Sequence, residues 1–217
     1  ISHDLRSPLT AIVTAVGGLA DGKLGPEDRA ELIAVLESET ARLAGLVDDL
    51  LDVSRIQAGA VNPRADWCDL GEAVAGAAAQ VRAAGSGHPI ALELPADLPL
   101  VRADHVQVER VFANLLDNAV RHSPTGVPVR VTGGVGGGRV TVRVIDRGRG
   151  VPAADRARIF DPFVGGGRSA PGSGLGLAIA RGFVEANGGR IALQSGVSED
   201  TAFAVSFPMV AQPAAAT

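Results

Sequence analysis

The sequence predicts an α+β chain: an antiparallel two-helix hairpin followed by a two-layer α/β sandwich. Three observations predict it. Residues 1 to about 58 carry apolar side chains at helical spacing, interrupted once by turn residues between Asp21 and Pro26. Gly59, Asn62 and Pro63 then break the pattern. Beyond Asp69, β-rich stretches alternate with helical ones. The expected division is a helical hairpin over 1–60, a linker over 61–69, an α/β domain over 70–210 and a disordered tail over 211–217.

In order, the first helix runs from residue 1 to about 21, with Leu5, Leu9, Ile12, Val16 and Leu19 on one stripe read as buried. Leu24-Gly25-Pro26-Glu27-Asp28 supplies a turn and acids for the next first turn. The second helix runs from Pro26 to about Ala58. Leu32, Leu36, Leu43, Leu46, Leu50 and Val53 form its seam, interrupted by Glu39, while Arg42, Asp48, Asp49 and Arg55 fall off it. One hairpin alone leaves an apolar face open, and pairing two into a four-helix bundle would bury it. In the linker region, Trp67 reads as a plug at a domain edge.

Asp69 caps a helix to about Ala84, and Ile90–Leu94 reads as a strand. A helix follows over Ala103–His122, with Val106, Val111, Leu115 and Val120 among its apolar positions. Val127–Thr132 and Arg139–Ile145 read as strands around a glycine turn over 133–138. Leu175–Ala186 reads as a helix ended by Asn187-Gly188-Gly189, and Ile191–Ser195 with Ala202–Phe207 as a final hairpin. About three helices on one face of a mixed sheet make the second domain a two-layer sandwich.

Composition narrows the function classes. Of 217 residues, 46% are hydrophobic, ample for a core, and the net charge of −4 gives no reason to expect nucleic acid. The single cysteine, Cys68, has no intramolecular partner, which points to a reducing compartment. No apolar run approaches the ~18–20 residues of a membrane span. The chain opens on Ile1 rather than methionine and is read as a portion of a longer protein.

Five stretches bear chemistry. His3 sits beside Asp4 near the start of the first helix, an imidazole next to a carboxylate. Asn114 and Asn118 share a helix face amid leucines, and a side-chain amide oxygen suits Mg²⁺. Taken alone, they are better read as an ordinary polar helix surface. Asp146 ends a strand and is followed by Gly148 and Gly150, placing an acceptor beside backbone that a flat ligand such as adenine can approach. Phe160 and Phe163 flank a turn in a chain with 3% aromatics, and both also suit a core. Gly172, Gly174 and Gly176 open a helix, whose free N–H groups favour phosphate. The Gly-rich run from Val164 to Ala170 before them reads as a mobile lid. His88, His105 and His122 have no metal-site spacing.

Each of the last four stretches is modest alone, but their order is specific. An asparagine helix, then Asp-x-Gly-x-Gly, Phe-x-x-Phe and Gly-x-Gly-Leu-Gly-Leu resembles the ATP-binding domain shared by histidine kinases, Hsp90, gyrase and MutL. Ser2-His3-Asp4-Leu5-Arg6-Ser7-Pro8-Leu9 resembles the phosphoacceptor box of sensor histidine kinases, which the other members lack. The match covers His3 to Pro208, and the wording around His3, Trp67 and Gly174 is most similar to potassium-responsive Kdp sensor kinases.

The resemblance implies an ATP-dependent autokinase that phosphorylates His3, with Asp4 as orienting base, and passes the phosphoryl group to an aspartate on a response-regulator receiver domain. It implies that Asn118 ligates Mg²⁺, Asn114 supports the phosphates, and Arg121 follows in the same box. Asp146 would bind the adenine amino group beside Gly148 and Gly150. Phe160 and Phe163 would anchor the lid, and Gly172, Gly174, Gly176 and Leu177 would form the phosphate cradle. A homodimer is implied, as is the cytoplasmic portion of a membrane-anchored sensor. Three positions depart from the family. Ser7 stands where Thr or Asn supports phosphatase action, so a hydroxyl remains for that activity. His122 replaces an aromatic, and Gly165 and Gly166 replace a basic lid residue that Arg168 could supply. The competing reading is a dimeric signalling scaffold that binds ATP without kinase activity.

Overall fold

The computed structural model describes residues 2–20, 24–85, 87–164, 173–195 and 200–210. The hairpin consists of α1 (Ser2–Ala20) and α2 (Pro26–Gln57), packed against each other. Pro26 starts α2 at a position where its missing N–H is harmless, with Glu27 and Asp28 in the positive first turn. Pro8 lies inside α1 and has no N–H to give the carbonyl of Asp4 one turn earlier.

The apolar stripe of α1 differs from expectation. Ala15 and Pro8 are buried, Leu5, Ile12 and Leu19 are half-buried, and Leu9 and Val16 are exposed. A single pair of helices covers only one side of each, so the remaining stripe faces outward.

The second unit is a mixed five-stranded sheet backed by helices α3 (Leu70–Ala83), α4 (His105–His122) and α5 (Gly176–Ala186). Its strands are β2 (Ile90–Glu93), β4 (Val129–Gly136), β5 (Arg139–Asp146), β6 (Arg190–Ser195) and β7 (Thr201–Pro208), in the order β2-β4-β5-β7-β6. The β2–β4 pair is parallel and the others are antiparallel. Strict alternation along β5 buries Val140, Val142 and Val144 toward the helices. Asp69 caps α3 as expected, accepting from the N–H groups of Gly71 and Glu72.

Several boundaries shift. The region read as linker contains β1 (Asp66–Cys68), which pairs antiparallel with β3 (Val101–Ala103), a strand missing from the sequence reading. Trp67 is half-buried on β1, with the Arg102 guanidinium 5.4 Å from its ring centroid. The α4 helix starts at His105 because Asp104 caps it, accepting from Gln107 N–H. Val106 then stands 75% exposed, outside the core. The β4–β5 turn tightens to Gly137-Gly138, both at positive φ, and the preceding glycines belong to β4. The tail over 211–217 lies outside the described residues.

Candidate active site

Asp146 ends β5 and is 2% exposed. Its Oδ1 accepts the Gly148 N–H at 2.9 Å, and the Thr201 hydroxyl on β7 bonds the same carboxylate. Burial pushes its pKa above the ordinary carboxylate value, opposed by the Gly148 bond, by His122 and by Thr201. Gly148 is required sterically. A methyl there would fall 2.5 Å from the His122 carbonyl oxygen and 2.8 Å from Asp146 Oδ1. The turn after β5 is thereby wedged against the end of α4. Gly150 follows at φ +71°, a conformation that glycine adopts freely.

Asn114 and Asn118 lie one turn apart on α4, both half-buried. Asn114 faces the start of α5, where a methyl on Gly176 would lie 3.5 Å from its Oδ1. Its Nδ2 is buried without a hydrogen-bond partner among the described residues. The first turn of α5 has no acidic residue, and its N-cap, Leu175, makes no side-chain cap bond. An orphan amide donor beside an uncapped helix N-terminus fits an anionic ligand. Leu177, in that turn, is half-buried against the core. Arg121, one turn beyond Asp117, pairs with it at 2.7 Å.

The two phenylalanines part company. Phe160 packs on the core, with its ring edge-to-face on Phe203 at 6.1 Å. Phe163 is 43% exposed and sits at φ +66°. That conformation is uncommon outside glycine. It is locked to the glycine segment by the bond from Phe163 N–H to the Gly174 carbonyl, 2.9 Å. A side chain on Gly174 would meet the Phe163 backbone at 3.0 Å. Two backbone positions thus hold the two ends of the glycine-rich segment together. Gly172 and residues 165–170, with the expected lid and Arg168, lie outside the described residues.

On the hairpin, the backbone of His3 and Asp4 is helical, and Ser7 is exposed one turn later on α1. The structure therefore brings Asn114 to Gly176 and Gly174 to Phe163 around the start of α5, sets Asp146 and Gly148 against the C-terminal end of the same α4 helix, and leaves His3, Asp4 and Ser7 on a separate helix. Sequence reasoning missed Thr201 and the backbone role of His122, which only strand register and the close turn bring to Asp146. One arrangement resembles a hydrolytic triad without being one. Cys68 Sγ lies 3.8 Å from His105 Nδ1, and His105 Nε2 lies 3.6 Å from Glu109. Burial pushes the thiol up to about 11, so it carries no thiolate at neutral pH.

The family described as His Kinase A (phospho-acceptor) domain matches residues 1–59. The family described as Histidine kinase-, DNA gyrase B-, and HSP90-like ATPase matches residues 103–211. The alginate biosynthesis sensor protein KinB of Pseudomonas aeruginosa is 36% identical over 96% of this chain, which spans 36% of that protein. The sensor protein KdpD of Mycobacterium tuberculosis is 41% identical over 88% of this chain, which spans 23% of it. Among solved structures, the Acinetobacter baumannii histidine kinase AdeS superposes with a TM-score of 0.74 at 25% identity, over 95% of this chain and 98% of that one. Full-length ShkA in complex with AMPPNP gives 0.71 at 31% identity, over 97% of this chain and 45% of that one.

Proposed function

Because the chain belongs to the sensor histidine kinase family and carries its ATPase-type domain, we propose that it is an ATP-dependent autokinase that phosphorylates His3 and delivers the group to an aspartate of a response-regulator receiver domain. The observation that carries this reading is the orphan Asn114 Nδ2 beside the uncapped start of α5, on the same unit as the buried Asp146. A nucleotide spanning them would place its base at Asp146 and Gly148 and its phosphates at Asn114 and Gly176.

The division of labour follows. Asp146 accepts from the adenine amino group, and Gly148 keeps the base close to backbone. The glycines from 172 to 176 and the α5 N–H groups hold phosphate oxygens. Asn118 would offer an amide oxygen to Mg²⁺, an ion that normally takes few protein ligands. When bound, that ion neutralises charge on the phosphates. His3, as the neutral imidazole, uses a ring-nitrogen lone pair to attack the γ-phosphorus. The P–N bond forms as the bond to the β-phosphate oxygen breaks and ADP leaves. Asp4 fixes the ring tautomer and, as general base, takes the proton from the other ring nitrogen. The labile phosphoramidate then suits transfer to a carboxylate.

The division into a phosphoacceptor hairpin over 1–60, a linker over 61–69 and an ATP-binding domain over 70–210 belongs to the same proposal. So do a homodimer joined through the hairpin and a membrane anchor elsewhere in the parent protein. Among the described residues no helix is long and apolar enough to cross a membrane. The chain spans 36% or less of the length of KinB and KdpD. Ser7 is the residue offered for regulator dephosphorylation. Incubating the purified chain with its receiver domain and ATP tests the delivery step. The expected result is label on the receiver aspartate only when His3 is present; a labelled receiver with His3→Gln overturns it.

A further inference from the structure

The acidic end of α2 is tied to the nucleotide-binding unit by a charged clamp. Arg110 on α4 reaches Asp49 at 3.2 Å and Asp52 at 2.6 Å, the latter as an ion pair off the hydrogen-bond axis. Asp52 is 5% exposed although it lies on a helix of the hairpin. Arg55 is its second cation, at 3.5 Å. One turn further, Ile56 fills the space left by Gly182 on α5, where an added methyl would fall 2.6 Å from the isoleucine. Val53 lies in the same core as Val111 and Ile179. An acid pair, a buried valine and an isoleucine thus dock one face of α2 on α4 and α5 together.

The clamp lies near the axial level of His3 on one side and one helical turn from Asn114 on the other. Gly18 of α1 packs against Leu32 of α2. Counting about fifteen residues back along α1 and forward along α2 puts the backbone of His3 level with Val47. Asp49 and Asp52 lie roughly 3 and 7–8 Å further along the axis, at 1.5 Å per residue. On the other side, Arg110 is one turn from Asn114, which faces Gly176.

We infer that Arg110 is a positioning residue for phosphoryl transfer: its clamp on Asp49 and Asp52 holds the nucleotide-binding unit at the level of the phosphoacceptor turn. The inference rests on the autokinase reading. Transfer depends on alignment of donor and acceptor, and a docked orientation supplies it without touching the nucleotide.

The test uses the whole chain with two readouts. Arg110→Ala is expected to lower the rate of His3 labelling about tenfold, with ATP affinity and KM within about twofold. Arg110→Glu sets three carboxylates together and is expected to lower it further. Asp49→Asn with Asp52→Asn in that background should bring the rate back to the Arg110→Ala level. Hydrogen exchange, which needs no activity, should show residues 49–57 losing protection in Arg110→Glu. Unchanged or faster labelling, loss of ATP affinity, or unchanged protection overturns the inference. Wild-type chain that binds ATP but never labels His3, with the protection change intact, overturns the autokinase reading and leaves a docking contact without a transfer role.

Discussion

Phe112, Leu115, Leu116, Phe203 and Phe207 are enclosed by their own chain, whereas Val13, Val16, Val47 and Leu51 in the hairpin stand in solvent at 47–69% exposure. The first set belongs to the unit that carries Asp146, Asn114 and Gly176. The second belongs to the unit that carries His3. The nucleotide end is therefore enclosed, closed in part by Val53 and Ile56 of α2, while the hairpin still leaves apolar surface in solvent. Nucleotide binding and phosphoryl transfer should consequently separate under mutation.

The largest effect is expected for Asn118→Ala. Labelling should fall on the order of a hundredfold or more, the range for removing one electrostatic contact at a developing charge. Thermal unfolding should barely move, because Asn118 is only half-buried and outside the core. Radiolabel incorporation and a melting curve check this, and normal labelling would remove Asn118 from the site. Next comes Val47→Asp with Leu51→Asp. Charges on the exposed α2 face should dissociate the proposed dimer in sedimentation and cut labelling about tenfold or more, with ATP affinity intact. A monomeric wild type would refute the paired hairpin.

Gly148→Ala acts inside the enclosed unit. The added methyl meets the His122 carbonyl, so the turn must shift, at about 1–3 kcal/mol of overpacking. ATP affinity should drop by roughly tenfold for each 1.4 kcal/mol that falls on the bound geometry, read by calorimetry. The smallest effect concerns pH. Asp146 is raised chiefly by burial, so the folded chain holds its proton more tightly than the unfolded chain. Its contribution to stability is present at acid pH and fades as pH rises through the raised pKa. Binding runs the other way, since a protonated Asp146 loses an acceptor for the adenine amino group. Nucleotide affinity should weaken a few-fold as pH falls toward that value, before an ordinary aspartate near ~3.9 would respond. Asp146→Asn should flatten this dependence.

The same contrast explains what the sequence revealed. Helix α1, helix α2, Asp69 as a cap and the order Asn114, Asp146, Phe160, Gly174 were legible because each rests on local periodicity or on turn chemistry. The β1 and β3 strands were not, since three residues each are too short for alternation to register. Phe163 at positive φ was hidden because nothing in Asp-Pro-Phe requires it; the bond to Gly174 does. Asp49 was read as lying off the apolar seam, but it faces Arg110, 61 residues away. A clue existed in retrospect: Asp49 and Asp52 alternate with Leu50, Val53 and Ile56, more apolar contact than a solvated helix face needs.

The most direct test is incubation of the purified chain with γ-labelled ATP and Mg²⁺, comparing wild type with His3→Gln. The proposed function requires label that is labile to acid, stable to base and absent from His3→Gln, while both proteins bind ATP equally. Label that persists in His3→Gln, or ATP binding with no label on the wild type, would contradict it.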